Sequence, residues 1–199
     1  GRADFLELNG TNNSDIFNVN GGADQIQIVN NTGGFVTVGL NTGGITNVQL
    51  RGLDGDDTFN VSALLPYSLG VLVDGGNPSA SDTLNLSGAA GPIVEDLATQ
   101  TVTGYGAVVS FLGVEHVNLA GAGGAPLTII ATSGNDQLTY IPTGASAGTV
   151  ILAGQNVVTN FSGINGAFQL DALTGSDQVT VIGTQASETI TDNFTQVTV

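Results

Sequence analysis

The chain has 199 residues, 41% of them hydrophobic, with 17 acidic side chains against two basic ones and a formal charge of −15. So acidic a chain repels phosphate backbones and anionic bilayers, which argues against a nucleic-acid partner and against membrane-surface binding, and no apolar run approaches the ~20 residues of a spanning helix. With no Cys, Met or Trp, it has neither a disulfide framework nor a thiolate metal site.

The chain opens at Gly1 with neither Met nor a signal peptide, so a mature or excised piece of a longer protein is expected. Helix propensity is poor throughout, with 30 Gly and few Glu, Lys or Arg. The periodicity is that of short strands bounded by Gly, Asn and Asp. GTNNSDIFNV (10–19) sets the pattern of a Gly, a few small polar residues, an Asp and then an alternating strand. Next, Gln25–Val29 and Phe35–Leu40 flank Asn30-Asn31-Thr32-Gly33-Gly34, which reads as a hairpin tip. GITNVQLRG (44–52) leads into GLDGDDTFNV (52–61), the second Gly–Asp–strand element. VLVDGGNP (71–78) echoes VQLRGLDG (48–55) at a shift of 23 residues and leads into GGNPSASDTLNL (75–86). GVEHVNLAG (113–121) matches 44–52 at a shift of 69, and INGAFQLDA (164–172) matches it with one residue inserted. TSGNDQLTYI (132–141) and LTGSDQVTVI (173–182) are further Gly–Asp–strand copies, and GTQASETIT (183–191) is a weaker one with Glu188 in the Asp place.

Asp15 and Asp57 stand 42 residues apart, Asp136 and Asp177 stand 41 apart. The chain therefore divides into a first repeat-built β unit, 1–120, and a shorter second unit, 121–199, that ends in a partial third copy. The fold class is all-β. Spacings of 23 and 69 suit the coils of an elongated β-solenoid, in which turn Asp and Asn stack and inward Val, Leu, Ile and Phe form ladders. Hairpins every 8–12 residues suit the alternative, one or two antiparallel β-sandwiches.

GLDGDDTFNV, VLVDGG and SGNDQLTYI resemble repeats in very large bacterial surface and secreted proteins related to the hemolysin-type calcium-binding (RTX) family. The segment VEDLATQTVTGYGAVVSFLGVEHVNLAG (94–121) resembles stretches that flank RTX nonapeptides, leading into Gly134-Asn135-Asp136-Gln137-Leu138. The resemblance implies export, a β-solenoid tendency and, in some members, Ca2+.

Asp54, Asp56 and Asp57 form the densest acidic cluster. Calcium takes six to eight oxygens, and carboxylates alternating around a Gly turn supply several. The same residues also serve as turn formers, each Asp bonding the backbone two residues on. Asp136 and Asp177 carry the same two readings. No cofactor is required by any motif. His116, beside Glu115 at a strand start, lacks the partners that acid–base work needs. No Ser sits in a G-x-S-x-G elbow, so no enzyme is expected. Acceptor sequons for glycosylation occur at Asn9, Asn12, Asn30, Asn60, Asn85, Asn160 and Asn193. The alternating tail, Thr189–Thr191 and Thr195–Val199, carries no Pro or Lys to block strand addition. It can pair with the unit that begins at Phe5-Leu6-Glu7-Leu8 in another copy. The expected protein is a non-enzymatic extracellular or cell-surface structural subunit that adds copies of itself head to tail through β-edges. The alternative is a calcium-responsive RTX-type adhesion module.

Overall fold

The computed structural model describes residues 4–30, 37–77 and 81–183. The class is all-β, as expected: strands make two large sheets, and no α-helix occurs among the described residues. None of them forms a helix long and apolar enough to cross a membrane.

The chain alternates between the sheets. β1 (Phe5–Asn9) lies in an eight-stranded sheet, and a Gly–Asp corner turns it into β2 (Asp15–Asn20) of a ten-stranded sheet. A 3-10 turn at Gly21–Ala23 then feeds β3 (Gln25–Asn30) and β4 (Thr37–Asn41), both in the larger sheet. β5 (Asn47–Asp54), β6 (Thr58–Ser62), β7 (Gly70–Asn77) and β8 (Thr83–Ala89) step back and forth between the two. β9 (Ile93–Asp96), β10 (Thr101–Thr103) and β11 (Val109–Leu112) stay in the smaller sheet, and β12 (His116–Gly121) returns to the larger. β13 (Leu127–Ile130) crosses again, followed by β14 (Gln137–Gly144), β15 (Ala147–Leu152) and β16 (Val158–Ser162) in the larger sheet. β17 (Phe168–Asp171) and β18 (Gln178–Val181) are one last crossing.

The smaller sheet has the order β1-β5-β7-β11-β10-β9-β13-β17, the larger β4-β3-β2-β6-β8-β12-β16-β15-β14-β18. Antiparallel pairing is confined to three excursions, β2–β3–β4, β9–β10–β11 and β14–β15–β16. All other neighbours are parallel, as they must be when the chain crosses to the other sheet before returning. The sheets are therefore mixed, and a wholly antiparallel sandwich does not describe them.

The registers test the repeats directly. Ile16 pairs with Thr58, Val48 with Val71 and Gln137 with Gln178, which are the shifts of 42, 23 and 41 read from the sequence. β3 and β4 are the expected hairpin arms, with Gln25 opposite Asn41; the tip at 31–36 lies outside the described residues. The match of 113–121 to 44–52 is corrected. β5 belongs to the smaller sheet, whereas β12 pairs with β8 and β16 in the larger, His116 facing Thr83 and Val158. Both sheets point Val and Leu inward at alternate positions, so the two segments look alike without being neighbours.

Period-two alternation places one face of every central strand inside. Phe17, Val19, Phe59, Val61, Leu84, Leu86, Val117 and Leu119 of the larger sheet are buried against Val48, Leu50, Val71, Val73, Leu127 and Ile129 of the smaller. Each such side chain contributes about 1.5–3 kcal/mol. Equal register stacks like on like: Phe17 lies on Phe59 with ring centroids 4.8 Å apart.

Candidate functional site

Three features carry the molecule's polar chemistry: a column of acids at one corner, a ladder of amides on one face, and the two ends of the sheets.

The column forms where the chain turns from the smaller sheet into the larger. There the Gly–Asp element repeats, and its Asp residues stack. Asp57 Oδ1 accepts the backbone N–H of Asp15 at 2.7 Å, Asp82 Oδ1 that of Asp57 at 2.7 Å, and Glu115 Oε2 that of Asp82 at 2.9 Å. Asp177 Oδ1 accepts the N–H of Asp136 at 2.9 Å in the same manner. Each carboxyl thus ties its own corner to the one before it. The glycines make the space: a Cβ on Gly52 would lie 2.0 Å from Asp57 Oδ2 and 2.4 Å from the carbonyl oxygen of Gly75. That close approach, not the backbone angle, demands glycine there.

Asp15, Asp57 and Asp82 are essentially inaccessible, and one oxygen of each (Oδ1 of Asp15, Oδ2 of the other two) has no hydrogen-bond partner. Burial pushes Asp57 up to about 7, against the pull of the Asp15 N–H and with the neighbouring Asp82, Asp15 and Asp56 adding repulsion. Asp82 is pushed up to about 6, again first by burial and against the pull of the Asp57 N–H, with Glu115 the strongest of the like charges that raise it. A second acid stands alone between the sheets. Glu95 accepts a bond from Thr159 Oγ1 at 2.9 Å, leaves Oε2 unpaired, and is pushed by burial up to about 8.

The cluster Asp54, Asp56 and Asp57 does not act as one group. Asp57 turns inward into the column, whereas Asp54 and Asp56 are exposed. Asp56 accepts a bond from Ser81 Oγ, and its N–H donates to Ser14 Oγ at 3.2 Å. Asp136 is buried and takes the Thr132 N–H and hydroxyl at 2.9 and 2.7 Å; Asp177 is exposed. Among the described residues, no group of three or more His, Asp or Glu side chains is arranged to hold a metal ion.

The amide ladder runs across the outer face of the larger sheet. Asn60 Nδ2 donates to Asn18 Oδ1 at 2.9 Å, Asn85 to Asn60 at 2.8 Å, Asn118 to Asn85 at 2.7 Å and Asn160 to Asn118 at 3.0 Å. The antiparallel excursions cap it: Asn18 donates to Gln27 Oε1 on β3 at 3.4 Å, and Thr149 on β15 donates to Asn160 at 2.8 Å. Three of the sequon asparagines, Asn60, Asn85 and Asn160, are therefore rungs whose nitrogen already donates to a neighbour. Asn9 is exposed and donates to Glu7 at 3.3 Å, Asn12 is exposed in a bend, and Asn30 ends β3. Asn193 lies outside the described residues.

The sequence marks neither Glu115 as a member of the column nor the asparagines as a ladder. Glu115 completes the column; its signal was the Val-Asn-Leu that follows it, which matches the Phe-Asn-Val after Asp57 and the Leu-Asn-Leu after Asp82. The recurring Asn is visible in three of the Gly–Asp copies, as Asn18, Asn60 and Asn85, with Thr139 and Thr180 in its place in two others, but nothing local says that it faces its own kind. His116 sits on the outer face between Thr83 and Val158.

At the ends, the outermost described strands are β1 and β17 in one sheet, β4 and β18 in the other. Each pair is separated by an even number of reversals, so β1 runs the same way as β17, and β4 the same way as β18. Inward apolar positions are only half covered there: Leu6, Leu8 and Ile28 at one end, Phe168 and Leu170 at the other, with Val179 49% and Val181 41% exposed. The tail with Glu188 and Thr189–Val199 lies outside the described residues. No protein-family model, curated protein or solved structure matches the chain.

Proposed function

We propose that this protein is a non-enzymatic structural subunit working outside the cell, and that copies add end to end through their sheet edges. The observation that carries the proposal is the pair of like-directed edges with partly uncovered apolar rows at both ends. An unpaired strand offers a row of N–H and C=O groups to any chain of suitable direction. A β18 edge can continue as a parallel neighbour of a β4 edge without turning either molecule round. Such a contact joins two different surfaces, so copies extend into a filament wherever the rotation between them does not close a ring. Edge β18, Gln178–Val181, carries no charge and no proline to oppose addition.

The buried acids support the same reading rather than an enzymatic one. Asp57, Asp82 and Glu95 are sealed from solvent, so no substrate reaches them. The experiment is negative-stain microscopy and sedimentation of the purified chain over a range of concentrations, beside a Val179→Lys/Val181→Lys variant. Filaments or concentration-dependent oligomers that the variant loses are expected. A wild-type chain that stays monomeric at the highest concentration, or oligomers that the variant keeps, would refute the proposal.

A further inference from the structure

The two outer faces differ in charge. On the smaller sheet Arg51 lies 3.6 Å from Glu7 and 3.7 Å from Asp74, so that face is ionic. The outer rows of the five parallel strands β2, β6, β8, β12 and β16 carry no Asp, Glu, Lys or Arg at all, in a chain of net charge −15. Their middle row is the amide ladder. Beside it runs a row of small side chains that includes Ser62, Ser87, Ala120 and Ser162.

Small beside taller makes a trough. One depression of about 490 Å³ is lined by Asn18, Asn60 and Asn85 with Ser62 and Ser87, and the next, of about 370 Å³, by Asn85, Asn118 and Asn160 with Ser87 and Ser162. The two share Asn85 and Ser87, so they form one channel that crosses the strands. Parallel strands repeat every ~4.8 Å, which gives five rungs a span of roughly 19 Å.

A primary amide has two N–H donors and two acceptor lone pairs. Asn60, Asn85 and Asn118 each use one donor and one acceptor in the ladder, which leaves one of each on a half-exposed group. The channel floor is thus an evenly spaced series of donor–acceptor pairs with no charge. We infer that this channel binds a neutral, unbranched polysaccharide laid across the strands, its hydroxyls meeting the amides and serines. An anionic polymer is repelled by the net charge, and these rows hold none of the Trp, Tyr or Arg anchors that dominate protein interfaces. Binding by one channel is weak for want of an aromatic platform, but copies joined in a filament would add their sites by effective concentration. The inference rests on the sheet face alone and stands whether or not copies join.

The test is retention of the purified chain, made without glycosylation, on cellulose, chitin, mannan and starch, with alginate as the anionic control. Ser87→Glu/Ser162→Glu places two carboxylates in the channel at exposed positions and leaves the ladder asparagines in place; Thr128→Glu puts a carboxylate on the other sheet's outer face. Retention on at least one neutral matrix is expected, with little on alginate, a loss of tenfold or more in the double variant, and none in Thr128→Glu. Ser162→Glu alone, checked by circular dichroism, serves if the double variant does not fold. Absence of retention on every neutral matrix, preference for alginate, or equal retention by a folded Ser→Glu variant overturns the inference.

Discussion

Asp57→Asn tests the acid column. Asn keeps an oxygen to accept the Asp15 N–H, but it cannot ionise. In the folded chain Asp57 holds its proton up to about pH 7, whereas in the unfolded chain it releases it near 3.8. A group whose folded pKa is raised makes the native state bind more protons, so stability falls as pH rises between those two values. At ~1.36 kcal/mol per pH unit, the gap amounts to about 4 kcal/mol. That cost is absent below pH ~4, grows between 4 and 7, and is complete above 7. Asp57→Asn escapes it. The variant should match wild type within about 1 kcal/mol at pH 4, the ordinary scale of one altered hydrogen bond. At pH 8 it should exceed wild type by about 4 kcal/mol, or roughly 8–16 °C in melting temperature for a domain of this size. Urea unfolding followed by far-ultraviolet circular dichroism at pH 4, 6 and 8 measures the difference, and the comparison cancels the general repulsion of an acidic chain. A stability difference that does not change with pH, or a wild type that gains on the variant as pH rises, would refute the reasoning.

Glu95→Gln should behave with the same sign over a window from 4.5 to about 8, because it keeps an acceptor for Thr159 while removing a charge with no counter-ion; stability at pH 9 against pH 5 checks it. Asn85→Ala removes the bond to Asn60 and the bond from Asn118, and should cost about 1–3 kcal/mol in the same unfolding assay. Gly52→Ala drives a Cβ into Asp57 Oδ2 and the Gly75 carbonyl, an overpacking that costs 1–3 kcal/mol or more, roughly. Gly39→Ala meets nothing within 4 Å and should be neutral or stabilising by up to about 1 kcal/mol, which makes it the control for a glycine lost from a strand.

The local chemistry of this chain was legible in its sequence. Gly before Asp before an alternating strand marks a corner, because a tight turn needs glycine and a short acceptor within a few residues of one another. The spacing of those corners at 42 and 41 residues is therefore the register of the strands that follow them, and the 23-residue echo is that of β5 on β7 ahead of them. Which sheet a strand joins was not legible. Val48–Leu50 and Val117–Leu119 carry the same inward pattern, and only their hydrogen-bonded neighbours separate them. Nor could the sequence separate Asp57 from Asp54 and Asp56, since three acids within four residues look like one site until the corner between β5 and β6 sends one inward and leaves two outside. The repeat spacings imply stacked turn Asp and Asn, but the place of Glu115 in a column with Asp15, Asp57 and Asp82, and of Asn118 and Asn160 in a ladder of five, belongs to the tertiary structure. Stacking strands brings residues 25 to 42 positions apart into hydrogen-bond contact, and no local pattern contains that distance.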